Sequence, residues 1–489
     1  MIISSLSINS TERLNIMKNK SYILKNAVIM TAVNLIMKSA GVGFNSFLTS
    51  KIGSDGMGLF QLVMSIYSLA ITFSCAGIRL ASTRITVEIK SLHNKDAKKS
   101  VTLCVTYAGI CGCIIGFSLL TFSDFIASSW LGNLSAALPL RILAPALPFV
   151  AMSSALGGYF TATGQIPQYS FIQMIEQAFK IMLTVLLINK YSVNGGTNPS
   201  VMIVTGMSVA EAFSFILSYI LKNITIEKTS DLPRAKLTDL LRISVPDGIG
   251  TIIRNILLTV EHLLIPKGFE KSGTGGKDAL SAYGNIHAMA MPILLYPSAI
   301  LSSLSSLLIP LLAEKNEKND KKSINNAINK TLKISFVYSI ICACIFYVFS
   351  SGICSAVYKS KDAAKYTKIL SPLVPIMYLD MITDGMLKGL DQQVYSMRYN
   401  IIDSSLCVIL VYFMLPKYAV KGYITILYIS ELINFYLSFG RLTQICEIRF
   451  FQAPSEDIPK LFESKKCSAF RKVYEYHTYR GRKKRSQVL

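Results

Sequence analysis

The feature that most constrains this chain is a succession of apolar runs of roughly twenty residues, the length an α-helix needs to cross a hydrocarbon core. Backbone N–H and C=O groups cannot be left bare in lipid, so each run must close its own hydrogen bonds as a helix. Spans are expected near 24–48, 57–80, 100–121, 137–159, 169–189, 200–221, 240–266, 281–312, 332–352, 366–387, 399–416 and 421–441. The first, seventh and eighth are longer than needed and must tilt, kink or protrude. The expectation is an all-α polytopic membrane protein of about twelve transmembrane helices. Of 489 residues, 51% are hydrophobic and 16% charged. Soluble domains carry roughly a quarter charged residues, so composition points the same way.

A net charge of +22 would suggest nucleic acid on a soluble protein. Here the basic residues cluster between spans, at Arg84 to Lys99, Lys222 to Arg242 and Lys315 to Lys333, and in a tail from Arg471 to Arg485. Lys and Arg gather on the cytoplasmic side, which puts both termini inside a cell membrane. No nucleic-acid partner is expected. The first twenty residues lack the apolar core of a cleaved signal. The cysteines lie mostly inside apolar runs without a CxxC spacing, so no metal site is expected.

Internal repeats decide the architecture. Arg141-Ile-Leu-Ala-Pro-Ala-Leu-Pro148 recurs 227 residues later as Lys368-Ile-Leu-Ser-Pro-Leu-Val-Pro375. The same offset brings Gly158 to Gly385, Gln165 to Gln392 and Glu176 to Asp403. A second match sets Glu211 against Glu431, and a weaker third sets Lys38 against Arg254. Each half holds an even number of spans, so the repeat is parallel and the two six-helix lobes enclose a central cavity. The domains expected are a cytoplasmic segment 1–21, an N-lobe 22–222, a linker 223–239, a C-lobe 240–441 and a basic tail 442–489.

Ionisable groups inside a membrane normally face a cavity or a partner. Glu176 and Lys180 read as a structural i,i+4 pair, and Glu211 with Glu431 as shared packing in each lobe. Asp380 and Asp384 have no acid in the first half, at Ser153 and Gly157. Lys38 and Arg254 stand near mid-membrane without a carboxylate at i±4. They either hold an anionic substrate group, most naturally a phosphate, or pair with carboxylates of their own lobes. Pro246, Asp247 and Gly248 should break or bend the seventh helix, and Pro292 and Pro297 the eighth. Bent helices lining a cavity are where ion sites lie, which brings in Asp247. The four His and the lack of an acidic cluster outside the spans argue against a membrane enzyme.

Ile52-Gly-Ser-Asp-Gly-Met-Gly-Leu-Phe-Gln-Leu62 resembles the loop after the first span in flippases of the multidrug/oligosaccharidyl-lipid/polysaccharide superfamily. Leu156-Gly-Gly-Tyr-Phe160, with Gly164, Pro167 and Glu176-Gln177, resembles that family's fourth and fifth spans. Lys388-Gly-Leu-Asp-Gln-Gln393, Tyr399-Asn-Ile-Ile-Asp-Ser404 and Gly422-Tyr423 resemble its stage V sporulation protein B branch. The resemblance implies export of a lipid-linked saccharide, such as a peptidoglycan precursor, by alternating access. A cation-coupled multidrug exporter is the alternative it leaves open.

Carried over by position, Lys38 falls where lipid II flippases of the superfamily hold a cavity arginine, and Arg79 is a second substrate-binding candidate. Phe44 and Asn45 stand where another arginine is common, which leaves Asn45 as the polar group there. No arginine matches in the eighth span, where His287 is the nearest basic residue. Glu261 falls where members place a seventh-span acid used for cations; with Asp247 and Asp403 it forms the candidate ion-coupling set, for Na+ or H+. No other cofactor is implied. The partners implied are the lipid-linked saccharide and the bilayer.

Overall fold

The computed structural model describes residues 10–93, 98–191, 199–225 and 237–447. The basic tail from 448 onward therefore lies outside the described residues, as does most of the expected linker. Nine helical stretches among the described residues are long and apolar enough to cross a membrane. Two of them are pairs of helices. Ser10–Cys75 turns at Gly53 (φ 72°), giving α1 (10–52) and α2 (54–75, continued as Ile78–His93). Gln393–Ile445 turns at Ala419 (φ 48°), giving α11 (393–418) and α12 (420–445). Between them run α3 (Lys98–Phe125, ending in a π-turn at Ile126–Trp130), α4 (134–162), α5 (Ile166–Tyr191) and α6 (Pro199–Thr225). Then follow α7 (Leu237–Lys271), α8 (276–317, in pieces) and α9 (Lys321–Val357). One more, α10 (361–389), is divided by a 3-10 turn into segments each shorter than a span. Counting each pair as two, and with α10, the described residues hold twelve helices, the number of spans expected.

The repeat is written into the backbone. In α4 a 3-10 turn falls at Ala144–Ala146, where Pro145 denies the helix one N–H; in α10 it falls 227 residues on, at Ser371–Leu373, over Pro372. The same offset links left-handed Gly132 to Lys359 and Gly164 to Asp391. It also links two helix caps: Asn133 accepts from the Ser135 N–H, and Ser360 from the Ala363 N–H. Carboxylates follow suit, with Glu176 accepting from Ser214 on α6 and Asp403 from Ser430 on α12, each at 2.5 Å. The fold is a parallel repeat of six-helix lobes.

Two seams join the halves. Along α1 and α8, Asn34 meets Ser303 and Ser39 meets Tyr296, and at the start of α2 Ser54 meets Ser281 of α8. Along α2 and α7, the Thr259 hydroxyl donates to the Ser65 carbonyl and Asn255 donates to Thr72. Gly58 and Gly77 sit where a Cβ would strike the carbonyls of Leu280 and Ser244, so backbone touches backbone at opposite ends of α2.

The expected disruption of α8 is present, and its causes are legible. Pro297 cannot donate to Ile293, whose carbonyl instead takes the Tyr296 N–H. The carbonyls freed around this break find side-chain donors. Tyr378 donates to Leu294 at 2.6 Å, Tyr338 to Pro297 at 3.0 Å, and Lys38 to Leu295 at 3.0 Å. A π-turn at Asn285–Ala290 precedes the break. The expected break at Pro246 is absent: Leu237–Lys271 is one helix. Asp247 lies on it, but its side chain is outside the described residues.

Candidate functional site

A cavity of about 560 Å³ opens among α1, α2, α5, α6 and α8. Its polar lining is Lys38 and Asn45 from α1, Gln61 from α2, and Gln177 and Lys180 from α5; the rest is apolar, including Phe44, Met64, Met207 and Pro292. No Asp or Glu is among the described residues that line it. Small apolar walls with a few convergent polar groups of one sign make a site for an anionic head on an apolar body.

Lys38 bridges the α1–α8 seam. Its ammonium donates to the Leu295 carbonyl and the Ser298 hydroxyl, both at 3.0 Å, and carries no ion pair among the described residues. An ammonium has three N–H donors, so one remains for a ligand. Lys38 is therefore bound to neither of the carboxylates, Glu211 and Glu431, that the pairing alternative offered it. Asn45, a turn or two further along α1, reaches the Ala288 carbonyl of the π-turn at 3.5 Å.

Lys180 meets the expectation in part. It interacts electrostatically with Glu176 and with Glu211, but Glu176 takes its hydrogen bond from the Ser214 hydroxyl, no ion pair within 4 Å joins it to Lys180 among the described residues, and Lys180 also lines the cavity. An i,i+4 spacing permits an ion pair but does not enforce one when a nearer hydroxyl is available.

Arg254 is elsewhere. It is exposed on α7 and interacts electrostatically with Asp380 and Asp403 of its own half, without contributing to the Lys38 cavity. The structure therefore does not bring Lys38 and Arg254 together, and the third sequence match does not set a second cation beside Lys38.

Arg79 is exposed beyond the break at Gly77 and interacts electrostatically with Tyr169. His287 lies inside the C-terminal half, hydrogen-bonded to Tyr423, and is not on the cavity lining. Among the ion-coupling candidates, Glu261 and Asp403 interact electrostatically within one acidic region that extends to Asp380 and Glu431. Glu261 is buried and makes no hydrogen bond or ion pair with the described residues. Asp380 accepts from Asn434 at 3.0 Å, and Asp384 pairs with Lys388 at 2.6 Å. Among the described residues, no three His, Cys, Asp or Glu side chains converge as metal ligands.

A model of the polysaccharide biosynthesis protein family matches residues 23–316, more than half of the chain. The chain belongs to this family. A second family model, MatE, matches residues 271–414. Among curated proteins, the member is 23% identical over 395 residues to stage V sporulation protein B of Bacillus subtilis (strain 168), covering 78% of this chain and 76% of that one. Among solved structures it resembles the lipid II flippase MurJ in an inward closed conformation: TM-score 0.66, 15% identity, 85% of this chain and 87% of that. An inward-facing multidrug resistance MATE family transporter of the MOP superfamily gives TM-score 0.62 at 13% identity, over 86% and 98%. Likeness at these identities establishes a shared multi-pass membrane fold, that of the MOP superfamily.

Proposed function

We propose that this family member is a flippase or exporter of a polyprenyl-diphosphate-linked saccharide, a precursor of peptidoglycan or another envelope polysaccharide. The observation that carries this reading is the pairing of Lys38 with Lys180 on a cavity free of acidic lining. Two ammonium groups and the amides of Asn45, Gln61 and Gln177 complement a diphosphate, whose charge would be costly in a low-dielectric space without them. The kinship with stage V sporulation protein B supports the same substrate class.

Lys38 supplies a route from binding to motion. Its bonds to Leu295 and Ser298 hold the α1–α8 seam. A phosphate that draws the ammonium away weakens that seam and favours a state in which the halves part, so the ligand shifts the population it binds best. Alternating access then needs no chemistry beyond exchange of hydrogen-bond partners. The MatE match over the second half, together with its acidic residues, favours a cation-coupled multidrug exporter as the second reading.

One complementation experiment separates them. Depletion in the native host should cause a lipid-linked saccharide to accumulate on the inner leaflet. Lys38→Ala should fail to relieve this at normal protein abundance, while Lys38→Arg relieves it in part, since the charge persists in a different geometry. Full relief by Lys38→Ala would sink the reading. Orientation is tested alongside, with both termini inside. Impermeant thiol reagents applied to intact cells should label single cysteines at Ser135, Lys277 and Lys361, and spare those at Lys318 and Ser468. Labelling at Lys318 would invert the topology.

A further inference from the structure

A second opening lies on the α2–α7 seam, and its walls differ from those of the Lys38 cavity. It is a groove of about 460 Å³ between Leu69 and Phe73 of α2, Ile256, Val260 and Leu264 of α7, and Trp130 of the π-turn after α3. Phe73, Trp130, Ile256 and Val260 are all exposed, so the groove opens sideways. Lys267 of α7 is the one charged group among the described residues that line it. Its ammonium donates to the Ser129 carbonyl at 3.3 Å and has no ion pair among the described residues. Two of its three N–H groups remain for an anion.

The proportions fit one lipid chain. From Ile256 to Lys267 the helix rises roughly 16 Å, close to half of a ~30 Å hydrocarbon core and so one leaflet deep. Lys267 and Trp130 stand together at one end of the groove, where α7 and α3 finish their spans. Trp and Lys hold that level of a membrane, with the ring at the headgroups and the ammonium in reach of phosphate. The other end is wholly apolar. The groove is thus a hydrocarbon trough beneath a single cation.

We propose that this groove binds one phospholipid with a singly charged anionic headgroup, its phosphate on the Lys267 ammonium and one acyl chain along the trough. The charges set that choice. One ammonium complements one phosphodiester, whereas a zwitterionic headgroup brings a cation of its own towards Lys267. A headgroup with two phosphates leaves one of them uncompensated. The bound chain touches α2 from one half and α7 from the other. Thr259, which also lines the groove, donates to the Ser65 carbonyl, so the lipid covers a hydrogen bond that joins the halves. Occupancy therefore favours the state in which α2 and α7 adjoin.

The site requires only that the chain sits in a bilayer, so its failure leaves the cargo proposed above untouched. Trp130 is the single tryptophan of the sequence, and its fluorescence reports this groove. The full chain is reconstituted in phosphatidylcholine with rising fractions of brominated phosphatidylglycerol, and in the converse mixture. At low salt, quenching should show phosphatidylglycerol held about fivefold more tightly than phosphatidylcholine, the effect of one lysine near an anionic lipid. Lys267→Gln should abolish the preference and Lys267→Arg keep it. Lys271→Gln should leave it unchanged, because that ammonium lies over the Tyr412 ring and not on the groove. Equal quenching by the two lipids would make the groove an ordinary stretch of the bilayer boundary. An equal loss in Lys271→Gln and Lys267→Gln would make surface charge alone sufficient. Either result overturns the site. Displacement of the brominated lipid by one equivalent of undecaprenyl phosphate would give the trough to the tail of a prenyl-linked cargo, and overturns it too.

Discussion

The two halves share a backbone and differ in charge. In the first half, the membrane-embedded cations Lys38 and Lys180 face a cavity, and the acids Glu176 and Glu211 stand behind them on α5 and α6. In the second half, the equivalent region holds Glu261, Asp380, Asp403 and Glu431 around one Arg254. Asp403 and Glu431 keep their first-half mates as acids, whereas Asp380 replaces Ser153. The duplicated scaffold thus carries opposite charge in its two halves. Under the proposed function, an anion-holding first half and a cation-holding second half bias one rocking equilibrium without sharing a site, because each acts on the seams between them.

The largest test of that contrast removes one cation from each half. Lys180→Gln should lower transport by about tenfold or more at unchanged abundance, the effect of deleting a charged hydrogen-bond donor to substrate. Arg254→Gln should do the reverse. Its loss leaves Asp380 and Asp403 without their neighbouring positive charge, so protein level falls while transport per molecule stays near normal. Paired immunoblot and complementation measurements read both. If Arg254→Gln removes transport at full abundance, the division of labour is wrong and both halves bind substrate.

A smaller effect tests whether the halves are mechanically equivalent. Gly158 and Gly385 are repeat mates, and a methyl group at either meets an obstacle. At Gly158 it meets the Arg79 carbonyl, which is backbone, and the Ser82 Cβ at 2.9 Å; at Gly385 it meets chiefly the Ser305 side chain. Side chains rotate away more easily than backbone moves. Gly158→Ala should therefore cost about 1–3 kcal/mol, and Gly385→Ala less, as read from thermal unfolding in detergent. Equal losses would mean that the α4–α2 and α10–α8 contacts are alike in stiffness.

How far the sequence reaches depends on the kind of residue. Proline acts locally, so Pro145 with Pro372 marks the repeat in any reading of the chain, and the backbone turns where they stand; the left-handed match of Gly164 with Asp391 shows only in the structure. Span number follows from apolar length in the same way. Side-chain partners do not. Lys38 finds Leu295 only because Pro297 frees carbonyls on a helix 257 positions away, and Tyr423 lies 136 positions from His287. Arg254 likewise finds its charged neighbours, Asp380 and Asp403, more than a hundred positions away in its own half, which no local pattern reveals.

The smallest expected effect concerns the helix caps, which differ in charge from one turn to another. The mated turns before α4 and α10 are capped by neutral side chains, Asn133 and Ser360. At the turn before α9 the cap is a carboxylate: Asp320 accepts from the Ser323 N–H at 3.1 Å. Hydrogen bonding from Ser323 holds the Asp320 carboxyl below its ordinary range. A group depressed in this way stabilises the folded end above its unfolded pKa, and that stabilisation is lost as pH falls through the folded one. Asn133 and Ser360 carry no such dependence. Hydrogen exchange by mass spectrometry, corrected for the intrinsic rate, should show the amides at 323 and 324 losing protection between about pH 5 and pH 3. The amides at 135 and 363 should stay level. In Asp320→Asn, whose amide still accepts, the first pair should become as flat as the second. A pH-dependent loss that survives this substitution would place the titrating group elsewhere in the loop before α9, with Glu314 or Glu317 the groups to change next.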